Sequence, residues 1–160
     1  MMRKILLIMT MLMCSMFMVA ETHEVEEDCS NKNVNNKTEL VQKNENTWDK
    51  LIQAIIYVES KGNDNAKHGS SVGALQITPI AVAQCNKILQ ARRSKKHYTL
   101  SDRFSRKKSI EMFNLIQEYF NPKKSIEKAI RLWNGGNNYS VKRTQNYYNK
   151  VISKFRKIKN

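Results

Sequence analysis

From Trp48 to the end of the chain, apolar residues recur at the helical period and never in sustained alternation, and this most limits the fold. Trp48, Leu51, Ile52, Ile55 and Glu59 fall on one face of a helix that Thr47 can cap and Gly62 can stop. A second helix is predicted over Thr78 to Ala91, with Pro79 in its first turn. A third, from Ser109 to Phe120, aligns Ile110, Phe113, Ile116 and Phe120. A fourth takes Asn121 as its cap and Pro122 as its first residue, then presents Ile126, Ala129, Ile130 and Trp133. The last, Val141 to Arg156, lines up Thr144, Tyr147, Tyr148, Val151 and Phe155. The fold class is therefore all-α around a single core, with a minor strand element near residues 72–77. A chain of 160 residues holds one such core, not two.

The first 46 residues read differently. Arg3 and Lys4 precede an apolar run from Ile5 to Ala20, the layout of a secretory signal peptide cut after Ala20, or of an uncleaved anchor. Residues 21–46 hold seven acids against three lysines, are rich in asparagine, and read as a disordered linker. The folded domain then spans residues 47–160. If Cys14 leaves with the signal, Cys29 and Cys85 remain, either as a disulfide that ties the arm to the domain or as two thiols.

Residues 47–160 carry 23 basic and seven acidic side chains, a net of +16. Such a charge suits a polyanionic partner, and export favours an anionic wall or membrane over nucleic acid. The basic stretch Arg92 to Lys108, "RRSKKHYTLSDRFSRKK", reads equally as a solvated linker and as a rim that attracts an anionic polymer.

Glu59 is the residue that calls for explanation. It shares a helical face with Ile52 and Ile55, so its carboxyl projects toward the interior or a cleft. Desolvation disfavours its charged form, and a carboxyl that keeps its proton near neutral pH suits general acid catalysis. The competing reading is a helix-terminal glutamate that swings into water. Asp64, five residues on, is the only nearby candidate for a second carboxylate, in a stretch that reads as a surface turn. His23, His68 and His97 lack ligand spacing, so no metal or cofactor is expected. Tyr139, Tyr147 and Tyr148 can stack on sugar rings or pack in the core.

The ordered segments "ES" at Glu59–Ser60, "VGALQIT" at 72–78, "AIRLWNGG" at 129–136 and "TQNYYNKV" at 144–151 resemble the SLT-type lytic transglycosylase domain of the lysozyme-like superfamily. The resemblance covers residues 48–156. It implies a glycan groove in which Glu59 is the sole catalytic acid and base and Tyr147 holds it. It further implies that Ser60, Gly73, Leu75, Gln76, Ile77, Asn134 and Gly135 shape or line the substrate site. Ala74, Leu75 and Trp133 depart from the family's usual leucine, methionine and tyrosine, which bears on substrate contacts and not on the reaction. The implied reaction cleaves the β-1,4 bond between N-acetylmuramic acid and N-acetylglucosamine and closes a 1,6-anhydro ring. A hydrolytic muramidase and a catalytically weak glycan-binding module are the alternatives. The implied setting is an exported monomer in the periplasm or cell envelope, acting on peptidoglycan strands, with an envelope-spanning secretion or conjugation apparatus as a candidate partner.

Overall fold

The computed structural model describes residues 30–158, which are mainly α-helical. The segment 1–20 expected to be a signal peptide, and residues 21–29 with Cys29, lie outside the described residues. Among the described residues no helix is long and apolar enough to cross a membrane.

Helix α1 runs from Ser30 to Ser60 and is the axis of the fold. It begins well before Thr47, inside the stretch expected to be a linker. Thr47 is not a cap: it lies within the helix, and its hydroxyl donates to Lys43 O at 2.8 Å. Residues 42–46 are all exposed, so no apolar stripe marks this part of the helix. Packing downstream removes the nucleation cost, and the polar segment extends a helix already formed. The apolar stripe marks where α1 meets the core, with Leu51, Ile52 and Ile55 buried. Lys61 and Gly62 then turn left-handed (φ 56° and 86°) and stop the helix where glycine was expected to do so.

Two short strands, β1 (Lys67–His68) and β2 (Ser71–Val72), pair antiparallel. Val72 also bridges to Ile77, closing the turn 73–76. Helix α2 (Pro79–Ala91) follows, with Pro79 in its first turn as expected and Thr78 Oγ1 capping Ala81 N. Cys85 on α2 is a free, fully buried thiol whose Sγ faces Met112 O at 3.6 Å, and burial pushes its pKa up to about 12.

The basic stretch 92–108 is neither wholly linker nor wholly rim. It contains a short 3-10 helix (Leu100–Phe104), a buried Tyr98, and the first residues of helix α3 (Arg106–Phe120), which Ser105 caps. Arg103 turns inward, donating to Ser70 O at 2.9 Å and Ile77 O at 3.2 Å, so it straps the β-turn to the helices. Helix α4 (Ile126–Gly135) is capped by Ser125 and not by Asn121. Asn121 instead ends α3 and is buried, its amide joining Gln117 Oε1 and Ser125 O across the interhelix turn. Helix α5 (Val141–Lys157) opens at a Ser140 cap and buries Thr144 and Val151. The core gathers Phe113, Leu75, Ile77, Ile88, Met112 and Ile130 against α1, and Phe113 makes an edge contact with Trp133 at 4.9 Å.

Gly73 sits where Arg103 crosses the turn: a Cβ there would lie 1.9 Å from Arg103 O, at φ +80°. Gly69, at φ +60°, has no atom within 4 Å of such a Cβ. Gly73→Ala is expected to cost about 3 kcal/mol, from overpacking added to left-handed strain. Gly69→Ala should cost only about 1 kcal/mol. Urea unfolding midpoints of the two variants measure the difference; equal losses would show that the Arg103 crossing does not constrain the turn.

Candidate active site

The end of α1, the β-turn, the end of α4 and the second turn of α5 converge on Glu59. Tyr147, 88 residues away on α5, donates its hydroxyl to Glu59 Oε1 at 2.6 Å. The glutamate is half-buried. Burial raises its pKa above the ordinary carboxylate value, while the Tyr147 bond and the charge of His68 pull the other way without reversing it. Tyr147 is itself driven well above its usual pKa, first by burial and then by Glu59, so it stays protonated and remains a donor.

Glu59 opens onto a cleft of about 700 Å³, walled by α2, the ends of α3 and α4, and the β-turn. Gln76, Ile77 and Asn134 line it, as do His68 and the half-buried Trp133. Gln76 holds a left-handed backbone (φ 49°) and spends its amide on Gly73 O (2.8 Å) and Ala66 O (3.3 Å). Its carbonyl oxygen therefore faces His68 Nδ1 at 2.8 Å, and that nitrogen carries the proton. His68 Nε2 makes no hydrogen bond among the described residues.

The other residues singled out from the sequence sit behind the cleft. Ser60 is buried, its hydroxyl 2.9 Å from Ala74 O and accepting from Gly62 N, which ties the end of α1 to the turn. Leu75 is fully buried, and Gly73 lies under Arg103. At Gly135 a Cβ would come within 2.7 Å of Tyr139 Cβ and 2.8 Å of Thr144 Cγ2, so its bareness lets α4 approach α5. Tyr148 stacks on the Arg131 guanidinium at 4.4 Å, away from Glu59.

Among the described residues, Glu59 is the only carboxylate lining the cleft, and no lysine or arginine lines it. Asp64 faces elsewhere, paired with Arg106 Nε at 2.8 Å. Sequence reasoning missed His68 and Ile80 as wall residues. Ile80 carried a signal: it lies off the buried stripe of α2 (Val82, Cys85, Leu89) and is 81% exposed, an apolar side chain left on the open face.

The raised pKa has a consequence for stability. Folded Glu59 holds its proton more tightly than the unfolded chain does, so its contribution falls as pH rises from the ordinary carboxylate value through the raised one. Glu59→Gln keeps an acceptor for Tyr147 without the buried charge. It should raise the melting temperature at neutral pH by roughly 2–5 °C, and the gain should vanish below about pH 4, where both proteins are neutral at this position. A gain that persists at low pH would show that charge burial is not its source.

No curated relative and no solved structure matches the chain. The family model described as the transglycosylase SLT domain does match, over residues 38–155. Its span starts within α1, ahead of the resemblance at 48–156. With nearly every described element inside that match, and a mainly helical, lysozyme-like fold around the glutamate, the chain belongs to the transglycosylase SLT family, whose members cleave glycans.

Proposed function

We propose that the protein is an exported peptidoglycan lytic transglycosylase in which Glu59 acts first as acid and then as base. The observation that carries this reading is a lone carboxyl, half desolvated and held by Tyr147 at 2.6 Å, in a cleft with no second acid among the described residues. Most glycosidases that use water employ two carboxylates. A reaction whose nucleophile belongs to the substrate needs one.

In this mechanism protonated Glu59 gives its proton to the oxygen bridging N-acetylmuramic acid and N-acetylglucosamine. The bond from that oxygen to the muramyl C1 breaks, and an oxocarbenium-like centre or a substrate acetamide intermediate forms. Glu59, now a carboxylate, takes the proton of the muramyl C6 hydroxyl as that oxygen bonds to C1. The 1,6-anhydro ring closes, the enzyme regains its proton, and no water is consumed. Tyr147 steadies the carboxylate in between, because a hydrogen bond to the charged form favours it.

The cleft chemistry fits a neutral sugar. Trp133 and Phe120 offer apolar surface to ring faces, and Gln84, Asn134 and Thr78 offer hydroxyl and amide partners. The net charge of +16 lies outside the cleft and suits an anionic wall. An envelope location is read from the signal-like leader, and a secretion or conjugation apparatus is a candidate partner under this reading.

The test is mass spectrometry of muropeptides released from purified peptidoglycan. The protein should release products lighter by one water than hydrolysis gives, and Glu59→Gln should lose about 10²–10⁴-fold of the rate. Reducing-end products would make it a muramidase. Release by neither protein would make it a glycan-binding module.

A further inference from the structure

Arg131 is buried to 3% exposure, yet it lies outside the cleft and touches no substrate surface. Its Nε pairs with Glu127 Oε1 at 2.8 Å on its own helix. The rest of the guanidinium crosses to α5. One Nη1 donates to Val141 O (3.1 Å) and Thr144 Oγ1 (3.0 Å), and Nη2 donates to Gln145 Oε1 (2.9 Å). Its flat face covers the Tyr148 ring at 4.4 Å.

Residues 141, 144, 145 and 148 form one stripe of α5, at i, i+3, i+4 and i+7. Tyr147 lies beside that stripe, in the second turn of α5 between Gln145 and Tyr148. A guanidinium is a rigid planar fork, so contacts to four points of one stripe fix both the rotation of α5 and its position along its axis. A turn of α5 by a few tens of degrees would carry the Tyr147 hydroxyl out of reach of Glu59, while the apolar contacts of Val151 and Phe155 could readjust.

We propose that Arg131 is a positioning residue for the reaction, acting through α5 to hold the Tyr147 hydroxyl on Glu59. This rests on the transglycosylase reading for its catalytic meaning, though not for its geometry. Three of the guanidinium's four acceptors are uncharged, and the fourth, Glu127, is 57% exposed and so weakly paired. Its bonds therefore serve direction more than charge neutralisation.

The test reads Glu59 directly. The protein, with its glutamates carboxyl-labelled with ¹³C, is titrated by NMR, and Glu59→Gln identifies the resonance. Glu59 faces two titratable groups, Tyr147 on α5 and His68 on β1. Tyr147→Phe removes a donor to the carboxylate, so the Glu59 midpoint should move up. Arg131→Met, which keeps the side chain's bulk, should move it the same way and lower kcat by about tenfold or more with KM little changed. The double variant should show no shift beyond that of Tyr147→Phe, because both act on one hydrogen bond. Arg92→Met, which breaks the exposed pair with Glu118 outside the cleft, should leave the midpoint alone. If Arg131→Met does not fold, Arg131→Lys retains the charge without the fork and should shift the midpoint in the same direction. An unmoved midpoint in the folded Arg131 variant, or shifts that add in the double variant, would overturn the proposal. If the midpoints move as stated while the wild-type protein releases nothing from peptidoglycan, the transglycosylase reading fails and this one stands.

Discussion

The hydrogen bond from Tyr147 to Glu59 joins the last turn of the first helix to the second turn of the last. A bond at 2.6 Å tolerates little relative movement of those helices, so the surrounding structure has to fix their positions. The core alone does this poorly, because apolar contacts are non-directional and repack. The polar straps supply the direction. Ser60 ties the end of α1 to Ala74 O, Arg103 ties the β-turn to the 3-10 helix, and Arg131 ties α4 to α5. Each uses a buried donor on carbonyl or hydroxyl oxygens whose geometry leaves one arrangement.

These straps explain why motif positions can matter without reaching the cleft. Gly73 admits the Arg103 carbonyl, and Gly135 admits Thr144 and Tyr139. Gln76 spends its amide on two carbonyls and presents its oxygen to His68, so it organises the turn and orients a cleft imidazole together. Part of the motif thus encodes closeness of backbones, and part encodes chemistry.

What the sequence made legible follows the same division. Apolar periodicity reports burial, so it located the core-facing parts of all five helices and the face on which Glu59 lies. It failed where helix continues without burial, as along residues 42–46, which are exposed throughout. It failed again at the start of α3, where Arg106, Lys107 and Lys108 form a first turn with no apolar residue. The pair Asn121–Pro122 has the residue types of a cap and a first helical position, but the buried amide of Asn121 is needed between α3 and α4, and Ser125 takes the cap. Glu59, Gln76, Asn134 and Tyr147 were readable because an ordered motif set carried them. His68 was not, since a lone histidine immediately before the Gly69–Ser70 turn has no spacing to mark it. Arg131 was hidden for a related reason: an arginine on the apolar segment "AIRLW" reads as a solvated charge until its acceptors on another helix are known.

The charge distribution reflects the demand of the single carboxyl. A cation within about 4–6 Å of a carboxylate lowers its pKa by roughly 1–3 units, enough to cancel the effect of burial and leave no proton to donate. A domain with a net charge of +16 therefore has to keep its cations away from Glu59. No lysine or arginine lines the cleft among the described residues. Arg103 and Arg131 are directed onto backbone and amide oxygens elsewhere, Arg106 onto Asp64, and Lys61 and Lys154 onto the ring of Tyr57. The exception among the described residues lining the cleft is His68, whose charge pulls the pKa of Glu59 down. Attraction to an anionic polymer and retention of a proton on the proposed catalytic acid make opposite demands on local potential. The fold meets both by separating them in space, a basic exterior around a neutral groove.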